Sequence, residues 1–337
     1  MDKNGTILPW QKQTWQRLLT QESNNTLPHA LLLSGQEGLG KLHFAQNLAR
    51  LLLCEGRHLT QEPDAACGAC KQCRLFEAET HPDLKLIQPE EGSASIKVDQ
   101  IRNLVEFSAQ SSQLCGRKIM ILTPAESLNI NAANALLKTL EEPGKGSVIM
   151  LVSHQPGSLL PTIRSRCQVV DFTAPAGTQS LDWLISELNS EIPPEDITHA
   201  LELAHQAPLK TLDFLKAGML TEYKMMLDEL AALLKNDKLS STLSARWSDD
   251  MAQLRLSWMM HWLEQLLKLK LGTGAAVLFH GELMFKYLAG KSTVRQLFEL
   301  YTQCLKQYQL FMSSSNPNKA LAFEYLLHHW SVLMRKV

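Results

Sequence analysis

The stretch GQEGLGK, Gly35 to Lys41, constrains this chain more than any other. It follows the apolar run HALLLSG and opens the segment KLHFAQNLARLLLC, whose apolar spacing is that of a buried helix. Gly35, four residues, Gly40 and Lys41 between a strand and a helix form the local design of a phosphate-binding loop. In such a loop, backbone amides at the helix N-terminus face the anion, and the lysine reaches the same phosphates. The next position then departs from the pattern. A Ser or Thr hydroxyl serves the nucleotide's Mg²⁺ there, and this chain has Leu42.

A second magnesium contact is missing further on. Loops of this kind work with an acidic pair at the end of a later strand, which holds the metal and orients water. The matching strand is Lys118 to Leu122, and it runs into Thr123-Pro124-Ala125-Glu126. Glu126 stands too far along to replace the pair. Losing both contacts points to a chain that does not hydrolyse ATP by itself, while Lys41 leaves weak, metal-free nucleotide binding open.

Around this loop, short apolar runs alternate with helical patterns, as in an α/β domain with a parallel sheet. DLKLIQP, RKIMILTP, SVIMLVS and QVVDFTAP are the further strands. VDQIRNLVEFSAQ reads as a helix capped by Asp99, NINAANALLKTLEEP as one stopped by Pro143, and SLLPTIRSRC as a short helical piece. Beyond the turn-rich TAPAGTQS the strands end. Residues 178–216 read as a small helical unit broken at Pro193-Pro194 and Pro208, and long helices with broad apolar faces follow. From Met251 to Leu271 the apolar set is wider than one stripe, so that helix packs on two sides. The expected division is 1–174, 175–216 and 217–337.

A formal charge of −1 argues against binding nucleic acid by net charge alone. The start MDKNGTILPWQKQ has no basic stretch followed by an apolar one, and no apolar run reaches the ~18 residues that span a bilayer. A cytoplasmic, non-membrane protein is expected. Of seven cysteines, Cys54, Cys67, Cys70 and Cys73 cluster, with three presented on the turn CGACKQC. Four thiolates at this spacing suit structural Zn²⁺, leaving no open position for catalysis. An iron–sulfur cluster and free buried thiols are the alternatives.

GQEGLGK, the cysteine insertion of residues 54–73, HPD (His81 to Asp83), NALLKTLEEP (Asn134 to Pro143) and RSRC (Arg164 to Cys167) occur in this order in bacterial clamp-loader subunits. The chain resembles that family over its whole length. The resemblance implies an AAA+ fold: a RecA-like α/β P-loop module, a helical lid and an all-α C-terminal collar. It also implies work within the DNA polymerase III holoenzyme, in a heteropentamer that places the sliding clamp on primer-template DNA. Partners would be the ATP-hydrolysing motor subunits (gamma or tau) and delta, which is the main opener of the clamp. With Leu42, Thr123-Pro124, and Leu209 near the motor's lid arginine, this chain looks like a non-hydrolysing member, a divergent motor being the alternative. Arg166 would then be an arginine finger acting in trans on a neighbour's ATP. Without the family motif, Arg166 reads as an exposed or salt-bridged arginine. Arg164 is the weaker finger candidate, and Cys167 reads as a buried thiol.

Overall fold

The structure, a computed structural model, describes residues 6–56, 64–189, 191–235, 240–273, 281–312 and 317–335. The chain divides into two compact units, Met1–Trp183 with Ala207–Lys210, and Leu184–Gln206 with Thr211–Val337.

In the first unit the elements run α1 (Lys12–Ser23), β1 (Ala30–Ser34), α2 (Lys41–Leu53), α3 (Lys71–Glu77), β2 (Leu84–Ile87) and α4 (Val98–Ala109). There follow β3 (Lys118–Leu122), α5 (Ile130–Glu141), β4 (Ser147–Ser153), α6 (Pro161–Arg164) and β5 (Gln168–Asp171). Among the described residues the strands form one five-stranded sheet, ordered β2-β3-β4-β1-β5, and every pairing is parallel. Leu31, Leu33, Ile119, Ile121, Met150 and Val152 point to one face, where Trp15 and Leu18 of α1 and Phe44 and Leu48 of α2 cover them. Leu32, Met120, Leu122, Ile149 and Leu151 point to the other, against Ile101 and Leu104 of α4 and Leu136 and Leu140 of α5. A strand buried on both faces has no polar side to alternate with, so these strands read as unbroken apolar runs. This is the expected parallel α/β architecture.

One local expectation needs correction. Asp99 does not cap α4. The helix begins at Val98 with Lys97 as its cap; the Lys97 N–H donates to Gln100 Oε1 at 3.0 Å, and Asp99 pairs with Arg102 at 2.9 Å. The breaks expected at Pro193-Pro194 and Pro208 are present: Pro194 and Pro208 are the first residues of α8 (Pro194–Leu203) and α9 (Pro208–Lys216), which follow α7 (Gly177–Glu187). A proline's missing N–H costs nothing in that position.

The remaining helices are α10 (Met219–Leu234), α11 (Ser240–Trp247), α12 (Ala252–Leu271), α13 (Glu282–Lys291), α14 (Val294–Met312) and α15 (Lys319–Arg335). Around α12, Leu256, Trp258, Met259, Trp262, Leu263 and Leu266 are all buried in one apolar cluster. Packing on more than one side is therefore met within the chain. The Trp262 indole N–H donates to the Tyr223 hydroxyl at 2.9 Å, so the large ring is buried without an orphaned donor. Among the described residues no helix is long and apolar enough to cross a membrane.

Asp83 of the HPD motif fastens a loop to the sheet edge. Its buried carboxylate accepts from the Gln113 and Leu114 amides at 2.8 and 2.9 Å and from the Ser112 hydroxyl at 2.9 Å. Burial alone would raise its pKa, but these donors outweigh it and hold the carboxyl below the usual carboxylate range. The stability it lends is complete above its unfolded pKa of about 4 and is lost as pH falls through the lower folded value. Asp83→Ala should cost roughly 2–4 kcal/mol by stranding these donors. The check is the shift in urea midpoint at neutral pH, and the mutant's deficit should shrink in strong acid.

Candidate functional site

The loop from Gly35 to Lys41 lies at the C-terminal end of β1, where parallel sheets place their ligands. Gly35 has φ 146°, and a Cβ there would stand 2.2 Å from the Phe172 carbonyl oxygen, so only glycine fits. Gly40 takes a left-handed conformation with φ 79° as the N-cap of α2. Around this loop the chain supplies its own partners. Trp10 Nε1 donates to Leu39 O at 3.0 Å, and Gln11 Nε2 donates to Leu39 O and Gly40 O at 2.9 and 3.0 Å. The Leu209 N–H donates to Gly38 O at 3.0 Å, which places Leu209 against the loop.

Lys41 is buried, and its ammonium donates to Gly35 O at 2.5 Å and Gln36 O at 2.6 Å. The lysine is turned onto its own loop. Burial lowers its pKa to about 8, against the pull of Glu126 and Glu37. Leu42 packs on the apolar cluster of α1 and α2. Thr123 is buried and Pro124 follows it, so the end of β3 presents no carboxylate there. Glu126, however, comes back towards the loop: it accepts from the His154 N–H at 2.9 Å and acts electrostatically on both Lys41 and His154. Burial, then Lys41, lowers the His154 pKa. Lys210 and Glu37, 3.6 Å apart, complete this charged surround. Sequence reasoning does not single out Gln11, Glu37, His154 or Lys210 as site residues. His154 has a signal, since it directly follows the buried strand β4.

The four clustered cysteines do come together. Cys54 follows α2 as its C-cap, Cys67 opens the turn CGACKQC, Cys70 caps α3 and Cys73 lies in its first turn. Their sulfurs all lie within 4.8 Å of one another, with Cys54 Sγ 3.5 Å from Cys67 Sγ and 3.9 Å from Cys70 Sγ. Backbone amides point at the sulfurs: Cys67 N–H to Cys54, Cys70 N–H to Cys67 and Cys73 N–H to Cys70, at 3.3 to 3.5 Å. A Cβ on Gly56 would stand 2.8 Å from Cys67 Sγ, so the chain closes tightly over the group. The thiols are pushed in opposite directions. Burial raises the pKa of Cys54 and Cys73, while for Cys70 the Cys73 and Glu55 backbone amides overcome burial and lower it to about 6. Four thiolates so close repel one another, and a divalent cation would remove that cost. The cluster is tied to α1 by Trp15 Nε1 donating to Asp64 O at 3.0 Å, and to α2 by the Arg50–Glu77 pair at 2.5 Å.

In RSRC, Arg164 is exposed and Cys167 is buried, its thiol raised to about 11 by burial. Arg166 Nε donates to Glu141 Oε1 at 2.8 Å, Nη1 donates to Thr162 O at 2.9 Å, and Nη2 pairs with Glu141 as well. Arg166 is thus salt-bridged, and its partner belongs to NALLKTLEEP. Lys138 of that helix is exposed.

Residues 10–176 match the family model described as DNA polymerase III, delta subunit, and residues 217–332 match the model for the C-terminal part of the same family. A Pseudomonas aeruginosa protein named DNA polymerase III subunit delta' is 37% identical over 97% of this chain and 98% of its own length. Its namesake from Yersinia pestis is 32% identical over 97% and 96%, and that from Escherichia coli 31% identical over 77% and 76%. The chain belongs to the delta-prime family of DNA polymerase III subunits. A gamma-subunit-related structure from Thermotoga maritima aligns over 94% of this chain and 99% of its own at 19% identity and a TM-score of 0.44, too distant to bear on function.

A buried lysine with its pKa lowered to about 8 has a measurable consequence. Between about pH 8 and 10.5 the unfolded chain binds more protons at this position than the folded one, so the Lys41 contribution to stability rises with pH. Lys41→Met should flatten that part of the stability–pH curve by up to one proton, as read from urea midpoints across the range.

Proposed function

We propose that this chain is a non-catalytic subunit of the DNA polymerase III clamp loader, assisting placement of the sliding clamp on primed DNA. In this reading it joins motor (gamma or tau) and delta subunits in a cytoplasmic heteropentamer and offers Arg166 to the ATP site of an adjacent motor. The observation that carries the reading is the state of its own loop. Leu42 packs against the apolar cluster, and Lys41 is satisfied by Gly35 O and Gln36 O. ATP binding here is weak or absent. Residues 1–174 serve as the AAA+ module, 175–216 as the lid and 217–337 as the collar. Primer-template DNA is met mainly through the complex, and contact with the clamp is minor.

A guanidinium suits the finger role because it stays charged and offers planar donors to phosphate oxygens. The four cysteines suit structural Zn²⁺. Sulfurs about 2.3 Å from one zinc stand about 3.8 Å apart in a tetrahedron, beside the 3.5 and 3.9 Å separations from Cys54. The ion would fasten residues 64–73 to the end of α2.

A second reading, a divergent motor subunit, is favoured by the retained Lys41 and by the approach of Glu126 to it. Mg²⁺-dependent ATP turnover by the purified chain, abolished by Lys41→Ala, would establish that reading instead. For the finger, Arg166→Ala should leave Tm and assembly unchanged while slowing hydrolysis at the adjacent site by on the order of 10³. DNA-stimulated ATPase of the reconstituted complex measures it, and an unchanged rate removes the role. Elemental analysis should find one zinc per chain, lost with a fall in Tm in Cys70→Ser. Iron, or no metal at near-native stability, would overturn the zinc assignment.

A further inference from the structure

Arg166 and Glu141 stand 25 positions apart, in two motifs that nothing in the sequence connects. The structure joins them at one spot. α5 ends at Glu141, and the turn after α6 carries Arg166. On either side of the arginine, Ile163 and Cys167 are buried in the same apolar cluster as Leu136 and Leu140 of α5. The Arg166 N–H donates to Ile163 O at 3.1 Å, which fixes the backbone of the turn. The base of the side chain is thus set by packing, and its tip by Glu141 Oε1 and Thr162 O.

These contacts use Nε and one side of each terminal nitrogen. One hydrogen on Nη1 and one on Nη2 remain as donors for phosphate oxygens. The side chains of Arg166 and Glu141 are 34% and 49% exposed. Water screens a carboxylate so placed, so it orients the guanidinium more than it cancels its charge. We propose that Glu141 is a positioning residue: it holds Arg166 by one edge, with the remaining donors turned outward to the phosphates of the neighbouring subunit's ATP. This rests on the arginine-finger reading above. A long, flexible side chain held in its working orientation before the partner arrives loses less freedom on docking, and small misplacements of such a group are costly in rate.

The test uses the complex reconstituted with its motor and delta subunits. It compares wild type, Glu141→Ala, Glu141→Gln, Arg166→Ala and the Glu141→Ala/Arg166→Ala pair, each checked for Tm and assembly. The Arg166-dependent part of kcat is the difference between wild type and Arg166→Ala. Glu141→Ala should lower it about tenfold with KM for ATP within about twofold, because orientation is lost and not ATP affinity. Glu141→Gln keeps an acceptor oxygen and should recover most of the rate. In the Arg166→Ala background, Glu141→Ala should add nothing. An unchanged or faster Glu141→Ala complex, beside a slow Arg166→Ala complex, overturns the positioning role and leaves the finger standing. An equal loss from Glu141→Ala with and without Arg166 makes the residue structural, and also overturns it. If Arg166→Ala is itself without effect, the finger and its positioning residue fall together.

Discussion

The first unit is organised by the close approach of Gly35 to the end of β5. A Cβ on Gly35 would stand 2.2 Å from Phe172 O, while the Phe172 N–H donates to Ser34 O at 2.7 Å. β1 is therefore held between β4 and β5 right up to its last residue. The loop that follows has one way to leave the sheet, and α2 starts where that loop ends. From α2 hang Lys41 at one end and Cys54 at the other, so one rigid helix spans the phosphate-type loop and the thiol cluster. The opposite face of the sheet carries α5 and α6, and with them Glu141 and Arg166.

Two sites thus lie on one scaffold with opposite character. At the loop, polar groups are turned inward: the Lys41 ammonium meets its own carbonyls, and Trp10 and Gln11 bond the loop backbone. At RSRC the Arg166 side chain is 34% exposed and is held by Glu141 and Thr162 O. A site that closes on itself suits a chain whose chemistry is done elsewhere, and a supported arginine at the surface suits one that contributes to it.

Much of this is legible in the sequence, for physical reasons that differ from element to element. The strands can be read because a parallel strand covered on both faces must be apolar throughout, as ALLLS and KIMIL are. The cysteine cluster can be read because C-x₂-C-x₂-C forces its thiols onto one turn. α1 gives no comparable signal: its buried Trp15, Leu18 and Leu19 stand among glutamines, threonines and a lysine, a narrow stripe that shows only once the sheet face it covers is known. The start of α4 is misleading because Asp99 is a good cap by type, whereas Gln100 is the side chain that reaches the free amide of Lys97. The Arg166–Glu141 pair has no sequence signal at all, since it depends on how α5 and α6 pack. Glu126 likewise looks too distant until the turn after β3 brings it back beside His154.

In the proposed function the chain's own loop is dispensable and its arginine necessary. The most direct measurement compares DNA-stimulated ATP turnover by two reconstituted complexes, one with Lys41→Ala in this chain and one with Arg166→Ala. The account predicts turnover close to wild type for the first and a clear loss for the second. Loss on changing Lys41, with turnover preserved on changing Arg166, would contradict it.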